Sequence, residues 1–417
     1  MPTIFAEATP PGRGGVSVVR LSGPDARAIG EALAGPLPEP RRAELRQLRD
    51  GGDLIDQALV IRFGEGSSFT GEAVVEFQLH GAPVVVRRLE RALLVRGARR
   101  AEAGEFTRRG FLNGRIALSE AEGLADLLSA ETEAQRRQAM RVASGDLARW
   151  GESLRSQLIR AGALIEASLD FADEDVPEEV PAEVFSILVQ VREEMAAMLR
   201  GYPAAERLRR GFEVAIVGPP NAGKSSLLNR IAQRDVALVS DIAGTTRDVI
   251  ELHTDLGGLA VTFLDTAGLR EAQDSVERMG VERARARAEA ADLRLHLSSD
   301  GSVDETVWRA GDLTVRSKSD LRPGDVSAVT GEGITGLLKR VQEILQSRVE
   351  GSGLLARQRQ AEAVERAIHA LNVFPDFPPE ILAEAIRQAA QGLAELVGRI
   401  GADDYLDEVF SSFCIGK

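Results

Sequence analysis

The stretch GPPNAGKSS, residues 218 to 226, sets a lysine and a serine behind two glycines at the spacing G-x-x-x-x-G-K-S. It follows the apolar run FEVAIVG and precedes SSLLNRIAQ, which read as a strand and then a helix. In that context backbone N–H groups wrap a phosphate, glycines permit the bends, and the helix N-terminus adds partial positive charge. The candidate contacts are Asn221, Ala222, Gly223, Lys224, Ser225 and Ser226. Lys224 neutralises the outer phosphates, and the Ser225 hydroxyl suits a Mg²⁺ ligand. DTAG (Asp265, Thr266, Ala267, Gly268) ends the run VTFL. Its aspartate is placed to hold the Mg²⁺ shell, and the Gly268 N–H to face the γ-phosphate.

SKSD follows the strand-like run LTVR and contributes Ser317, Lys318 and Asp320. Asp320 is placed to accept both N1–H and N2–H of guanine, a donor pair that adenine lacks, so GTP is expected over ATP. SAVTGEG, residues 327 to 333, resembles the loop that supports the guanine carbonyl. The order and spacing of these pieces resemble the motifs of a small GTPase. Such proteins usually carry asparagine where Ser317 stands. A serine makes fewer hydrogen bonds, and one lost bond costs about 1 kcal/mol, so weaker nucleotide affinity is expected.

Several elements must position these groups. The chain has 417 residues, 44% hydrophobic and 28% charged, which suits two to three soluble domains. A single cysteine excludes an internal disulfide framework and a multi-cysteine zinc site. The formal net charge of -13 argues against non-specific coating of nucleic acid. No basic-then-apolar leader opens the sequence and no run approaches a bilayer span, so a cytoplasmic protein is expected.

Val16 to Gly23, Gln57 to Gly64 and Ala73 to Gly81 read as strands, and Ala82 to Gly97 as a helix. Ser119 and Glu122 have capping-box spacing and open a helical region. Within it, Leu154 to Leu169 carries an apolar stripe, and a further helix runs to about Arg210. Strand- and helix-like segments alternate from 212 to about 346, as in a doubly wound sheet. Helical patterns return from about 351, which suggests one helical domain interrupted by an insertion.

Between the first two nucleotide motifs lies VSDIAGTTRDVIE. Thr246 is placed to complete the Mg²⁺ shell, and the stretch resembles the TrmE/Era group of GTPases. TPPGRGGVSVVRLSG, GEFTRRGFLNGRIALSEAEGLADL and the terminal FCIGK extend the likeness over the whole chain. In order, they resemble the MnmE (TrmE) family of tRNA modification GTPases. The resemblance implies a multidomain α/β and α fold. An α+β folate-binding and dimerisation domain (1–117) comes first. An all-α domain follows in two segments (118–210 and 349–417), around an inserted Ras-like doubly wound G domain (211–348).

The family is a homodimer and works with an FAD-dependent partner of the MnmG/GidA type, so a heterotetramer is expected. It builds a 5-carboxymethylaminomethyl or aminomethyl group on the wobble uridine of certain tRNAs. The one-carbon unit comes from 5,10-methylenetetrahydrofolate, for which 5-formyltetrahydrofolate is an analogue, and GTP hydrolysis drives movement of paired G domains. An arginine finger is worth roughly 10³–10⁵ in rate; this family uses K⁺ in its place. By resemblance, Asn221 holds K⁺ together with the loop of Ser240, Asp241, Ile242, Ala243, Gly244, Thr245 and Thr246, with Ser240, Ile242 and Thr245 completing its shell. Leu269 stands where Ras-like proteins place a catalytic glutamine, and the family's water-positioning glutamate matches Glu277.

The folate contacts match Arg20, Glu76, Arg115 (where lysine is common) and Lys417. Cys414 falls near the folate in the family, where its thiol either assists one-carbon transfer or positions the substrate. The arginine clusters at 96, 99 and 100 and at 136, 137 and 141 read as ordinary solvated faces.

Two other readings compete. An Era-like RNA-binding GTPase in ribosome assembly accounts for the G domain but not for the N-terminal motifs or FCIGK. A folate-dependent one-carbon transferase with a vestigial G domain draws slight support from Ser317.

Overall fold

The computed structural model describes residues 1–170, 180–234, 251–265, 285–373 and 377–398. The chain forms two compact units. The first takes the described residues of Met1–Ala125, Leu147–Arg155 and the stretch from Gln391; the second takes those of Asp126–Asp146 and Ser156–Ala390.

The first unit is built on a six-stranded sheet of order β3-β4-β5-β2-β1-β6. Its strands are β1 (Ile4–Glu7), β2 (Val16–Ser22), β3 (Ala43–Asp50), β4 (Asp53–Phe63), β5 (Val74–His80) and β6 (Arg99–Arg100). Period-2 alternation gives the sheet one apolar face. Val19, Leu21, Val60, Phe77 and Leu79 point there, against Ile29 and Leu33 of α1 (Ala26–Ala34) and Val86, Leu89 and Leu93 of α2 (Pro83–Val95). Burying each large apolar side chain stabilises by roughly 1.5–3 kcal/mol. The antiparallel register sets Arg20 directly opposite Glu76.

α3 (Glu105–Leu112) carries a buried ion network. Arg109, 1% exposed, donates Nη1 to Glu72 (2.9 Å) and Nη2 to Glu105 (2.8 Å) and to the Pro2 carbonyl (2.8 Å). Burial by itself raises the Glu105 carboxyl, but hydrogen bonds from Arg99, the Glu102 N–H and Arg109 outweigh it and hold the group at about 2. Glu72 also accepts from Ser22 Oγ, which pairs with Thr70. The network thereby ties the 64–73 loop to β1, β2 and α3.

α4 (Leu118–Leu128) corrects one expectation. Ser119 lies inside the helix with its Oγ buried and without a partner, so it caps nothing. Glu120 reaches back to the Ala117 N–H instead (2.6 Å). The capping box sits at α5 (Glu133–Ala143), where Thr132 accepts from the Gln135 N–H and Gln135 accepts from the Thr132 N–H. α6 (Asp146–Asp170) follows. The single helix expected up to Arg210 is two, α7 (Ala182–Arg200) and α8 (Tyr202–Arg210), divided at Gly201.

In the second unit a five-stranded sheet has the order β11-β10-β7-β9-β8. Its strands are β7 (Phe212–Val217), β8 (Glu251–Leu256), β9 (Leu259–Asp265), β10 (Leu293–Ser298) and β11 (Leu313–Arg316). All pairings are parallel except the β8–β9 hairpin. Both faces of β7 are covered. Val214 and Ile216 pack with Leu227 and Ile231 of α9 (Lys224–Ala232) and Leu338 and Val341 of α10 (Ile334–Ser347). Ala215 and Val217 meet Ala288, Ala291 and Val307 on the other side. This is the doubly wound arrangement that the alternating pattern predicts.

β10 buries a charged group as well: Arg294 pairs with Asp312 at 2.8 Å, both nearly fully covered. His296, fully buried, lies 3.4 Å from the same carboxylate. Burial lowers the imidazole's pKa, against the pull of Asp312. α11 (Gln358–Ala370) lies against α7, and α12 (Pro379–Leu396) follows. Among the described residues no helix is long and apolar enough to cross a membrane.

Candidate functional site

The phosphate loop leaves β7 where its neighbours are β10 on one side and β9 on the other, the switch point at which open α/β sheets bind ligands. Gly218 has φ +149°, and a Cβ there would stand 2.0 Å from the Leu297 carbonyl. Only glycine lets the loop pass this close to β10. Asn221 takes a left-handed φ of 61° and Gly223 one of 97° before α9 begins at Lys224. Ala222 anchors the loop in the core, while Ser226 faces solvent.

Lys224 is 7% exposed, and its Nζ donates to the Gly218 (2.8 Å) and Pro219 (3.1 Å) carbonyls. The ammonium is thus held inside the loop's curve. The Ser225 hydroxyl donates to Asp265 at 2.6 Å. Asp265 ends β9, in register with Ile216 of β7, and is 4% exposed. A hydroxyl and a carboxylate this close, both oxygen donors, fit the demands of Mg²⁺.

The residues expected to read the base gather after β11. The Ser317 N–H donates to the Ser298 carbonyl at 2.7 Å, which joins this loop to the end of β10. Lys318 adopts a left-handed φ of 64°. Asp320 Oδ1 accepts from Ser327 Oγ at 2.6 Å. Ser327 is fully buried, and its oxygen accepts from the Val329 and Thr330 N–H groups in turn. Its role in aiming Asp320 is not readable from residue type; the one signal is its place at the start of SAVTGEG.

The Oγ atom of Ser317 is buried without a partner. An asparagine at 317 reaches farther than a serine. Ser317→Asn is therefore expected to tighten GTP binding about fivefold (~1 kcal/mol), measured by titration with a fluorescent GTP analogue. An unchanged Kd would show that Ser317 costs the site nothing.

Ser240, Asp241, Ile242, Ala243, Gly244, Thr245, Thr246, Thr266, Ala267, Gly268, Glu277, Cys414 and Lys417 lie outside the described residues.

In the first unit Arg20 Nε meets Glu76 Oε1 at 2.7 Å, at one wall of a cavity of about 300 Å³. Phe63, Phe69, Phe106 and Leu124 supply apolar walls. Arg115 is not in this cavity. It lines a neighbouring space of about 690 Å³ with Glu65, Glu72 and Asn113. The 64–73 loop serves both: Thr70 lines the first space and Gly71 the second. Arg109, which ties that loop down, carried no signal in the sequence beyond an ordinary i,i+4 pairing with Glu105.

The arginine clusters carry carboxylate partners. Arg96 meets Asp50, Arg99 meets Glu105 and Arg100 meets Glu90. Arg136 and Arg137 share Glu133, and Arg141 lies 3.6 Å from Asp146.

Residues 118–414 match the family described as MnmE helical domain, and residues 3–115 match that described as GTP-binding protein TrmE N-terminus. Curated relatives match along their full length. A tRNA modification GTPase MnmE of Paracoccus denitrificans is 66% identical over 420 aligned residues, covering 100% of both chains. Proteins of the same name from Roseobacter denitrificans and Dinoroseobacter shibae are 52% and 49% identical, again with 100% of both chains covered.

Proposed function

The chain belongs to the MnmE family of tRNA modification GTPases, and on that premise we propose a GTP-driven modification of the wobble uridine of certain tRNAs. The product is a 5-carboxymethylaminomethyl or aminomethyl group. The carbon comes from 5,10-methylenetetrahydrofolate, and an FAD-dependent protein of the MnmG/GidA type is the partner. The chain is a GTP hydrolase. The observation that carries this reading is the Ser225–Asp265 contact beside buried Lys224, at the ends of adjacent parallel strands.

Lys224 exchanges its two loop carbonyls for β- and γ-phosphate oxygens when GTP enters. Ser225 and Thr246 would ligate Mg²⁺, and Asp265, now bonded to the Ser225 hydroxyl, would hold its shell. Mg²⁺, when bound, offsets the charge of the phosphates. Asp320, held by Ser327, accepts from the guanine edge. A K⁺ site would be held by Ser240, Ile242, Thr245 and the side chain of Asn221. Its left-handed backbone suits asparagine better than most residues. Glu277 orients the attacking water in the place that Leu269 cannot fill.

The domain limits of 1–117, 118–210, 211–348 and 349–417 follow from the same reading, as does a cytoplasmic homodimer. Leu45 and Leu59, paired across β3 and β4 and 61% and 41% exposed, support a contact surface on the first unit. By that reading Arg20 and Glu76 hold the pterin and its tail, Arg115 and Lys417 make further folate contacts, and Cys414 belongs near the folate site.

The nucleotide half is tested by GTP hydrolysis in KCl against NaCl at equal ionic strength, with ATP as control. Strong stimulation by K⁺ with little ATP turnover is the expected result. Equal rates in the two salts would contradict the cation's role.

A further inference from the structure

We propose that Arg230 of α9 is a positioning residue for guanine recognition: it fixes the 327–333 loop and, through that loop, the Asp320 carboxylate. The inference rests on the reading of Asp320 as the group that takes the guanine edge, and it adds the residue that aims Asp320 from outside the base site.

Three hydrogen bonds in series make the connection. Arg230 Nη2 donates to the Thr330 carbonyl at 3.1 Å. The Thr330 N–H donates to Ser327 Oγ at 3.1 Å. The Ser327 hydroxyl donates to Asp320 Oδ1 at 2.6 Å. The guanidinium also lies against the backbone of the loop: a Cβ on Gly331 would stand 2.8 Å from Nη2 and 3.1 Å from Nε. One turn along α9, Arg234 Nη1 donates to Thr335 Oγ1 at 3.0 Å, in the first turn of α10. Successive turns of α9 thus hold the loop and the helix into which it leads.

Val329 and Thr330 are exposed, so packing does not pin the tip of this loop. Ser319 Oγ donates to Glu332 at 3.1 Å and ties the loop to SKSD, but that bond lets the two segments shift together. Ser317, with its hydroxyl buried and unpartnered, adds no tie of its own. Arg230 supplies the tie to a fixed element, since α9 starts at Lys224, directly behind the phosphate loop. Its charge strengthens the bond to the carbonyl, and its planar fork keeps the loop at one distance from the helix. The group that reads the base is thereby set against the groups that read the phosphates, and two hydrogen bonds to one guanine edge demand that alignment.

The test uses the full-length protein, with GTP and ITP competing for a fluorescent GTP analogue. Hypoxanthine keeps the N1–H of guanine and lacks its amino group, so the preference for GTP over ITP reports whether Asp320 is aimed at both donors. Arg230→Met keeps an unbranched stem and removes the guanidinium. GTP is expected to bind about fivefold more weakly and the preference over ITP to shrink about threefold, while the melting temperature is unchanged. Arg230→Lys, which still offers a donor to the Thr330 carbonyl, should keep most of the preference. An unchanged preference in Arg230→Met, whether both nucleotides weaken equally or neither does, overturns the proposal and leaves the role of Asp320 standing. A preference lost together with melting temperature assigns Arg230 to folding of the loop, which also overturns it. A wild type that binds GTP and ITP equally overturns the reading of Asp320 and this inference with it.

Discussion

Lys224→Met should lower kcat/KM for GTP by about 10²–10³. The methionine keeps most of the aliphatic stem and so preserves packing. It removes the charge that the loop curves around. In the free protein the ammonium is buried and donates to the Gly218 and Pro219 carbonyls, and methionine fills nearly the same space. The melting temperature should therefore change little as activity disappears. Steady-state hydrolysis and a melt of the same sample check both halves. Loss of activity with loss of fold would mean that the lysine's role is structural. Activity within a few-fold of wild type would remove the phosphate loop from the chemistry.

Asp320→Asn should weaken GTP by about a hundredfold or more, since two hydrogen bonds to a charged acceptor are worth ~1.5–3 kcal/mol each. Ser327 occupies one lone pair of Oδ1, which leaves acceptor capacity for the two guanine donors. Asparagine presents one acceptor and one donor. Xanthine has a carbonyl where guanine has its amino group, so the variant should prefer XTP. Competition of GTP, XTP and ATP for one labelled nucleotide reads the change. A uniform loss across all three would place Asp320 in loop structure rather than in base recognition.

Much of this nucleotide site was legible because its groups are carried by local patterns. A strand, a glycine loop and a helix are contiguous, and the distances between strand ends are set by the parallel sheet. The contacts that aim those groups were not. Ser327 acts on Asp320 across a loop, and Arg109 acts on Glu72 from a helix that the chain reaches 37 residues later. Residue type alone does not distinguish either from a solvated neighbour.

β3 carries no strand signal in the sequence for a related reason. Its sequence AELRQLRD is charged and mostly exposed, with Leu48 alone fully buried. Its pairing with β4 also explains why β4 begins at Asp53, earlier than its apolar run suggested. Ser119 and Glu122 matched a capping pattern, but the helix begins one residue earlier and turns the serine inward. In the first unit, Arg20 and Glu76 are brought together by cross-strand register. Arg115, grouped with them by resemblance, lines the adjoining space.

The central claim is that GTP turnover by this chain is coupled to building a one-carbon-derived group on a tRNA wobble uridine. Its most direct test is reconstitution with the FAD-dependent partner, substrate tRNA, 5,10-methylenetetrahydrofolate, an amine donor, GTP and KCl. Digested tRNA is then read by mass spectrometry of its nucleosides. The account predicts a 5-substituted uridine that disappears when GTP, the folate or this chain is omitted. Robust GTP hydrolysis with unmodified uridine in the complete mixture would contradict it and favour an RNA-binding GTPase of the Era type.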